Sequence, residues 1–154
     1  MTIAQRLTDL GITLPQPAAP VAAYVPTVEI GGLLHISGQL PFREDGSLMT
    51  GRMGEAVDLD EGTEAARRCA IMLLAQMQAA LGDLDRVVRI VKLGAFISST
   101  ADFTGQPKVA NGASELMQSV FGEAGRHARS AVGVPVLPLG AVVEIDGIVA
   151  VRPA

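Results

Sequence analysis

The sequence has no tryptophan, one tyrosine and four phenylalanines among its 154 residues. So few aromatics leave no platform on which unpaired bases could stack. Basic runs are missing too. Twelve Lys and Arg stand against 16 Asp and Glu, the net charge is −4, and the tightest basic grouping is the pair Arg67-Arg68. Such a chain is poorly equipped to neutralise a row of phosphates, so no nucleic-acid partner is expected. Cysteine occurs once, at Cys69, which excludes an intramolecular disulfide and a cysteine metal cluster. Set in an apolar helical stretch, Cys69 reads as a small buried hydrophobe. No apolar run is long enough to span a membrane, and the first residues lack the apolar segment of an export signal. A soluble, cytoplasmic protein without a membrane partner is the expectation. Phosphate-loop, zinc-helix and nucleophile-elbow patterns are all absent. His35 and His127 have no third ligand at metal-binding spacing, so no metal site is expected.

What is present is apolar. Hydrophobic residues make up 49% and charged residues only 18%, enough for one packed domain and low for a lone monomer. Surface buried against identical copies is therefore expected. Residues 1–14 read as a short amphipathic helical extension, with Ile3, Leu7 and Leu10 on one face and Gly11 as its stop. Pro15, Pro17 and Pro20 mark an extended link into the main domain, 15–154. Tyr24 to Ile30 reads as a strand, with Pro26 demanding an edge or a bulge. Gly31-Gly32 is a hairpin turn, Leu33 to Gln39 the return strand, and Leu48 to Gly51 a further short strand.

Leu59 to Leu81 has the strongest helical period, capped by Asp58 or Asp60 and stopped by Gly82. Arg67, Arg68, Gln76 and Gln78 fall off its apolar stripe and are expected in solvent. Val87 to Ile97 reads as a strand buried on both faces, and Pro107 to Phe121 as the second long helix. His127 to Val151 closes the chain as two β runs around Leu137-Pro138-Leu139-Gly140. The expected class is α+β: a mixed sheet of about six strands with two main helices on one face. The other face would be apolar and open to assembly.

Charges inside apolar strands need a reason. Arg129 heads the first closing run; Glu144 and Asp146 share a face of the second. An arginine on a strand can offer a carboxylate a planar fork, or it can pair with Glu144 or Asp146 on a neighbouring strand. The two carboxylates could do acid–base work or simply face water. Tyr24 could be a core residue or line a pocket. Asn111 interrupts its helix with a polar group that could face a cleft.

Taken in order, these stretches resemble the RidA/YjgF family, also known as L-PSP. The resemblance rests on Tyr24, on Val28-Glu29-Ile30-Gly31-Gly32-Leu33-Leu34-His35-Ile36-Ser37-Gly38-Gln39-Leu40-Pro41, on Asp85-Arg86-Val87-Val88-Arg89-Ile90, on Asp102-Phe103 and Asn111, on Ala128-Arg129-Ser130, and on Val143-Glu144-Ile145-Asp146-Gly147-Ile148-Val149-Ala150. It implies a chorismate-mutase-like fold and a homotrimer with clefts between subunits. It further implies hydrolytic deamination of reactive 2-imino or enamino acids to 2-keto acids and ammonia, without a cofactor. Arg129 would grip the carboxylate of a small metabolite. The Ala131 backbone carbonyl and Glu144 would position the attacking water, and Tyr24, Ser37 and Asn111 would line the pocket.

The chain departs from the family in places. Ala131 stands where a cysteine is usual, Ala22-Ala23 replaces Gly-Pro, and His127-Ala128 replaces Pro-Ala. The segment Gly105-Gln106-Pro107-Lys108 is longer than usual, and the first helix is extra. These departures fit a side branch, and they keep a second expectation open: a non-catalytic module binding a small carboxylate or carbonyl compound. The endoribonuclease activity suggested by an older family name sits badly with the acidic charge.

Overall fold

Local signals fix the helix limits in the computed structural model, which describes residues 1–17 and 22–154. Pro20, expected in the extended link, lies outside them. Helix α1 (Ile3–Asp9) starts at Thr2, whose hydroxyl accepts from the Gln5 N–H while the Gln5 side chain accepts from the Thr2 N–H. The same reciprocal box, Asp58 with Glu61, opens α2 (Leu59–Leu81). Gly82 ends α2 in the left-handed region at φ 74°, where a side chain would be strained. Helix α3 (Gln106–Phe121) follows Gly105 and tolerates Pro107 in its first turn, where an N–H has no partner within the helix.

Among the described residues, five strands form one mixed sheet: β1 (Thr27–Ile30), β2 (Leu33–Gln39), β3 (Val87–Ser98), β4 (Ala128–Val134) and β5 (Val143–Val151), in the order β1-β2-β5-β3-β4. The β1–β2 hairpin turns on Gly31 and Gly32, both at positive φ as this turn requires. Only β3 and β4 run parallel, joined by α3. The sixth strand expected near Leu48 to Gly51 does not form. That segment makes only isolated bridges, Phe42 with Leu48 and Thr50 with Ala141, before Gly51 turns it away at φ 123°. The first strand starts at Thr27 rather than Tyr24, because Pro26 has no N–H to pair.

Two further expectations are corrected. β4 and β5 are not neighbours, since β3 lies between them and pairs with both. The α3 crossover carries the chain to the outer side of β3, and the Pro138–Gly140 turn brings it back past that strand. β3 is also not buried on both faces: Val88, Arg89, Val91 and Lys92 are exposed. Among the described residues, helices cover one face only. Along β5, Val143, Ile145, Gly147, Val149 and Val151 are buried, while Glu144, Asp146, Ile148 and Ala150 occupy the open face.

The core lies between that sheet and α2 with α3. Leu73, Leu74, Met77, Leu93, Met117 and Ile145 are almost wholly buried in it; such a side chain contributes about 1.5–3 kcal/mol by leaving water. The two helices touch at Gly112, where a methyl group would stand 2.0 Å from the Thr63 carbonyl oxygen. α1 rests on α3 and on the 3-10 turn Leu84–Arg86 and adds Leu7 to the core, with Ile12 joining from the segment after it. Its first N–H, that of Ile3, donates to the Asp85 carboxylate at 2.8 Å.

Helix α2 is enclosed further round than its period suggests. Of the four polar residues expected in solvent, Arg68 and Gln76 are buried. The loop after β2 folds across α2, so the Arg68 Nε donates to the Phe42 carbonyl at 2.7 Å. Gln76 donates to the Gln39 side chain, which in turn donates to the Ser37 carbonyl. No helix among the described residues is long and apolar enough to cross a membrane.

Candidate functional site

Strand alternation decides which way each candidate points. In β4, Arg129 and Ala131 lie on the helix side of the sheet; Ser130 and Val132 lie on the open side. Arg129 meets α3. Its Nη1 donates to Asn111 Oδ1 at 2.9 Å and to Ser114 Oγ at 3.0 Å, and its Nη2 donates to the Pro107 carbonyl at 3.3 Å. Asn111 and Ser114 are one helical turn apart and so share a face of α3. The alternative of an ion pair with Glu144 or Asp146 is not realised, because β3 separates them. Among the described residues Arg129 forms no ion pair. Its positive charge is held in place by neutral groups only, at the side of a hollow of about 510 Å³.

His127 completes this arrangement. Its Nδ1 lies 2.6 Å from the Gly125 carbonyl and its Nε2 3.0 Å from Ser114 Oγ. A carbonyl can only accept, so Nδ1 carries the proton and Nε2 accepts from the Ser114 hydroxyl. Ser114 Oγ remains free to accept from Arg129. Burial lowers the His127 pKa and the Arg129 charge lowers it further, against the opposing effect of the Gly125 bond. A neutral imidazole suits a site already holding one cation. Ser114 was not anticipated from the sequence. Its three-residue spacing from Asn111 was the available signal, once that helix face was known to meet an arginine.

A second group sits on the open face. Glu144 lies over Gly38, where a Cβ would come within 2.1 Å of its Oε1; Asp146 lies over Gly94, where a Cβ would come within 2.4 Å of its Oδ1. The two strand glycines make room for the two carboxylates. Burial, and then the neighbouring Asp146 charge, push the Glu144 pKa up. Ser37 borders a hollow of about 560 Å³ on this face, together with Asp146, Lys92 and Ser130. The Ser37 hydroxyl donates to the Pro26 carbonyl at 3.2 Å, tying β2 to the segment that carries Tyr24. Tyr24 itself is 60% exposed, so it is no core residue of the single chain.

One chain thus brings Arg129 and Asn111 together, with Ser37 and Glu144 on the opposite face of the sheet. Ala131 pairs with Ala95 beside β3 and is half-buried. His35 is exposed at the open-face hollow. Cys69 is fully buried, with its Sγ 3.6 Å from the Val143 carbonyl, and burial holds its thiol protonated.

Residues 4–149 match the protein family described as "YjgF/chorismate mutase-like, putative endoribonuclease". Protein TCP17 of Trypanosoma cruzi is 56% identical over 148 residues, covering 96% of this chain and 92% of its own. A 2-iminobutanoate/2-iminopropanoate deaminase of Dermatophagoides farinae is 30% identical over 141 residues, covering 92% and 95%. Among solved structures, the protein Atu1372 of unknown function from Agrobacterium tumefaciens superposes with a TM-score of 0.90 at 47% identity, over 98% of this chain and 94% of that one.

Proposed function

Starting from the fact that this chain belongs to the YjgF/chorismate-mutase-like family, we propose that it hydrolyses reactive 2-imino or enamino acids to 2-keto acids and ammonia, in clefts between identical subunits. The observation that carries this reading is Arg129: among the described residues, a cation without a carboxylate partner, fixed from behind by Asn111, Ser114 and Pro107, with Nε and one Nη2 hydrogen unused. Such a fork is suited to the carboxylate of a small substrate. A relative carrying a deaminase name supports the same chemistry.

Imine hydrolysis makes modest demands. The substrate must be held in one pose and a water aimed at the C=N carbon. Glu144, with its raised pKa, is suited to take a proton from that water as oxygen bonds to carbon. The same proton passes to the substrate nitrogen. Glu144 then takes the hydroxyl proton and passes it to the nitrogen as the C–N bond breaks, leaving a keto acid and ammonia. The Ala131 carbonyl would help orient the water, and a backbone oxygen does not depend on the side chain found at that position. Tyr24, Ser37 and Asn111 would shape the pocket. Arg129 and Glu144 lie on opposite faces of one sheet, so a site using both draws them from two chains. This supports a homotrimer, with β4 of one subunit laid against the open face of the next.

The test is the decay of iminopropanoate generated in situ. Purified protein should accelerate it. Two charge-assisted hydrogen bonds at about 1.5–3 kcal/mol each set the expected loss in Arg129→Ala at about 100-fold or more. A rate equal to buffer would end the catalytic reading. A ligand-dependent rise in melting temperature without turnover would then favour a binding module for small carboxylates.

A further inference from the structure

On the outer side of α2, away from both site clusters, the segment after α1 and the loop after β2 enclose a hollow of about 620 Å³. That volume is in the range of small-molecule sites. Leu14, Pro15, Phe42 and Met72 supply apolar walls, and the Arg68 side chain lines the same space. Arg43 and Glu44, both exposed, stand at its rim.

Arg68 is the informative residue. It is only 7% exposed, yet among the described residues it forms no ion pair. Its neighbour Glu64 pairs with Arg67 instead. Its one hydrogen bond among the described residues is from Nε to the Phe42 carbonyl. A guanidinium has five N–H donors and does not lose its proton, so Nη1 and Nη2 bring four donors without an acceptor among the described residues. A buried cation normally has an anion beside it, because its desolvation is otherwise uncompensated. The Nε bond fixes the guanidinium plane, and the adjoining cavity leaves space for a planar anion against the remaining fork.

We infer that this hollow is a second ligand site, which takes a small monocarboxylate with an apolar body. The carboxylate lies against Arg68 and the body against Leu14, Phe42 and Met72. The site shares no residue with the Arg129 and Glu144 clusters and is independent of the reaction proposed for them.

Octanoate is a suitable probe, with octanol as the neutral control and calorimetry plus thermal melting as readouts. Octanoate should bind once per chain, raise the melting temperature, and bind at least about tenfold more tightly than octanol. Arg68→Met, which keeps the apolar bulk, should remove that preference, whereas Arg129→Ala should leave it intact. Should Arg68→Met fail to fold, Met72→Trp fills the hollow with the arginine in place and should abolish binding. No octanoate binding, equal binding of octanol, binding unchanged in Arg68→Met or Met72→Trp, or loss of binding in Arg129→Ala would each overturn the assignment.

Discussion

Two titratable residues next to the candidate site respond to pH in opposite directions. His127 has a folded pKa below the ordinary histidine value of 6.5. The stability it contributes as a neutral group is fully present above that value and is lost as pH falls toward the folded pKa. An NMR titration should place its midpoint below 6.5, and Arg129→Ala should move the midpoint up by removing a nearby positive charge. No movement would mean that the Arg129–Ser114–His127 chain of contacts is not formed. Glu144 has a folded pKa above the ordinary 4.5. Its ionised form is therefore a cost to the fold that is present above the folded pKa and is relieved as pH falls through it. Glu144→Gln should melt higher than the native chain at about pH 8, with the difference shrinking toward about pH 4.5. Activity should fall in the same variant, so a gain in stability and a loss of turnover would arise from one carboxylate.

At the level of the elements, much was legible in short stretches of sequence. Asp58, Glu61 and Gly82 bound α2 by chemistry that operates over three or four residues, and the Gly31-Gly32 turn sets its hairpin unaided. Strand order has no such local signature. Nothing in residues 128–151 indicates that β3, made some 30 residues earlier, slides between β4 and β5. Family resemblance assigned Arg129 and Asn111 to one pocket without giving their contact, and the burial of Arg68 and Gln76 depended on how β2 and the loop after it come to rest on α2. The α2–α3 contact gives the sharpest test of packing. At Gly112 an added methyl would meet the Thr63 backbone, which cannot swing aside as a side chain would. Gly112→Ala should cost about 2–3 kcal/mol in a denaturant melt, in the upper part of the usual range for overpacking. A change below about 0.5 kcal/mol, typical of surface substitutions, would show that the helices do not approach this closely.

The whole molecule has one covered and one uncovered sheet face. Val28, Ile30, Val91 and Val132 are exposed large apolar residues in its strands. Light scattering should give about three times the 16.0 kDa chain mass if clefts between subunits form as proposed. Val132→Glu would place a third carboxylate on the face that carries Glu144 and Asp146, and it should shift that mass toward the monomer. A monomeric native chain would leave Arg129 and Glu144 on opposite sides of one sheet, with no shared cleft.

The position of β5 has a consequence for synthesis. It is the last strand in chain order, yet it lies in the middle, pairing with β2 on one side and β3 on the other. As the chain leaves the ribosome it can make a β1–β2 hairpin and a β3–α3–β4 unit, and nothing in the sheet joins them until β5 emerges. Two unpaired edges wait for it, the one on β2 from early in translation and the one on β3 from its later part. A nascent chain halted before Val143 should therefore stay protease-sensitive and bind chaperones that recognise strand edges. The strand bearing Glu144 would join the two halves and deliver its carboxylate in the same step.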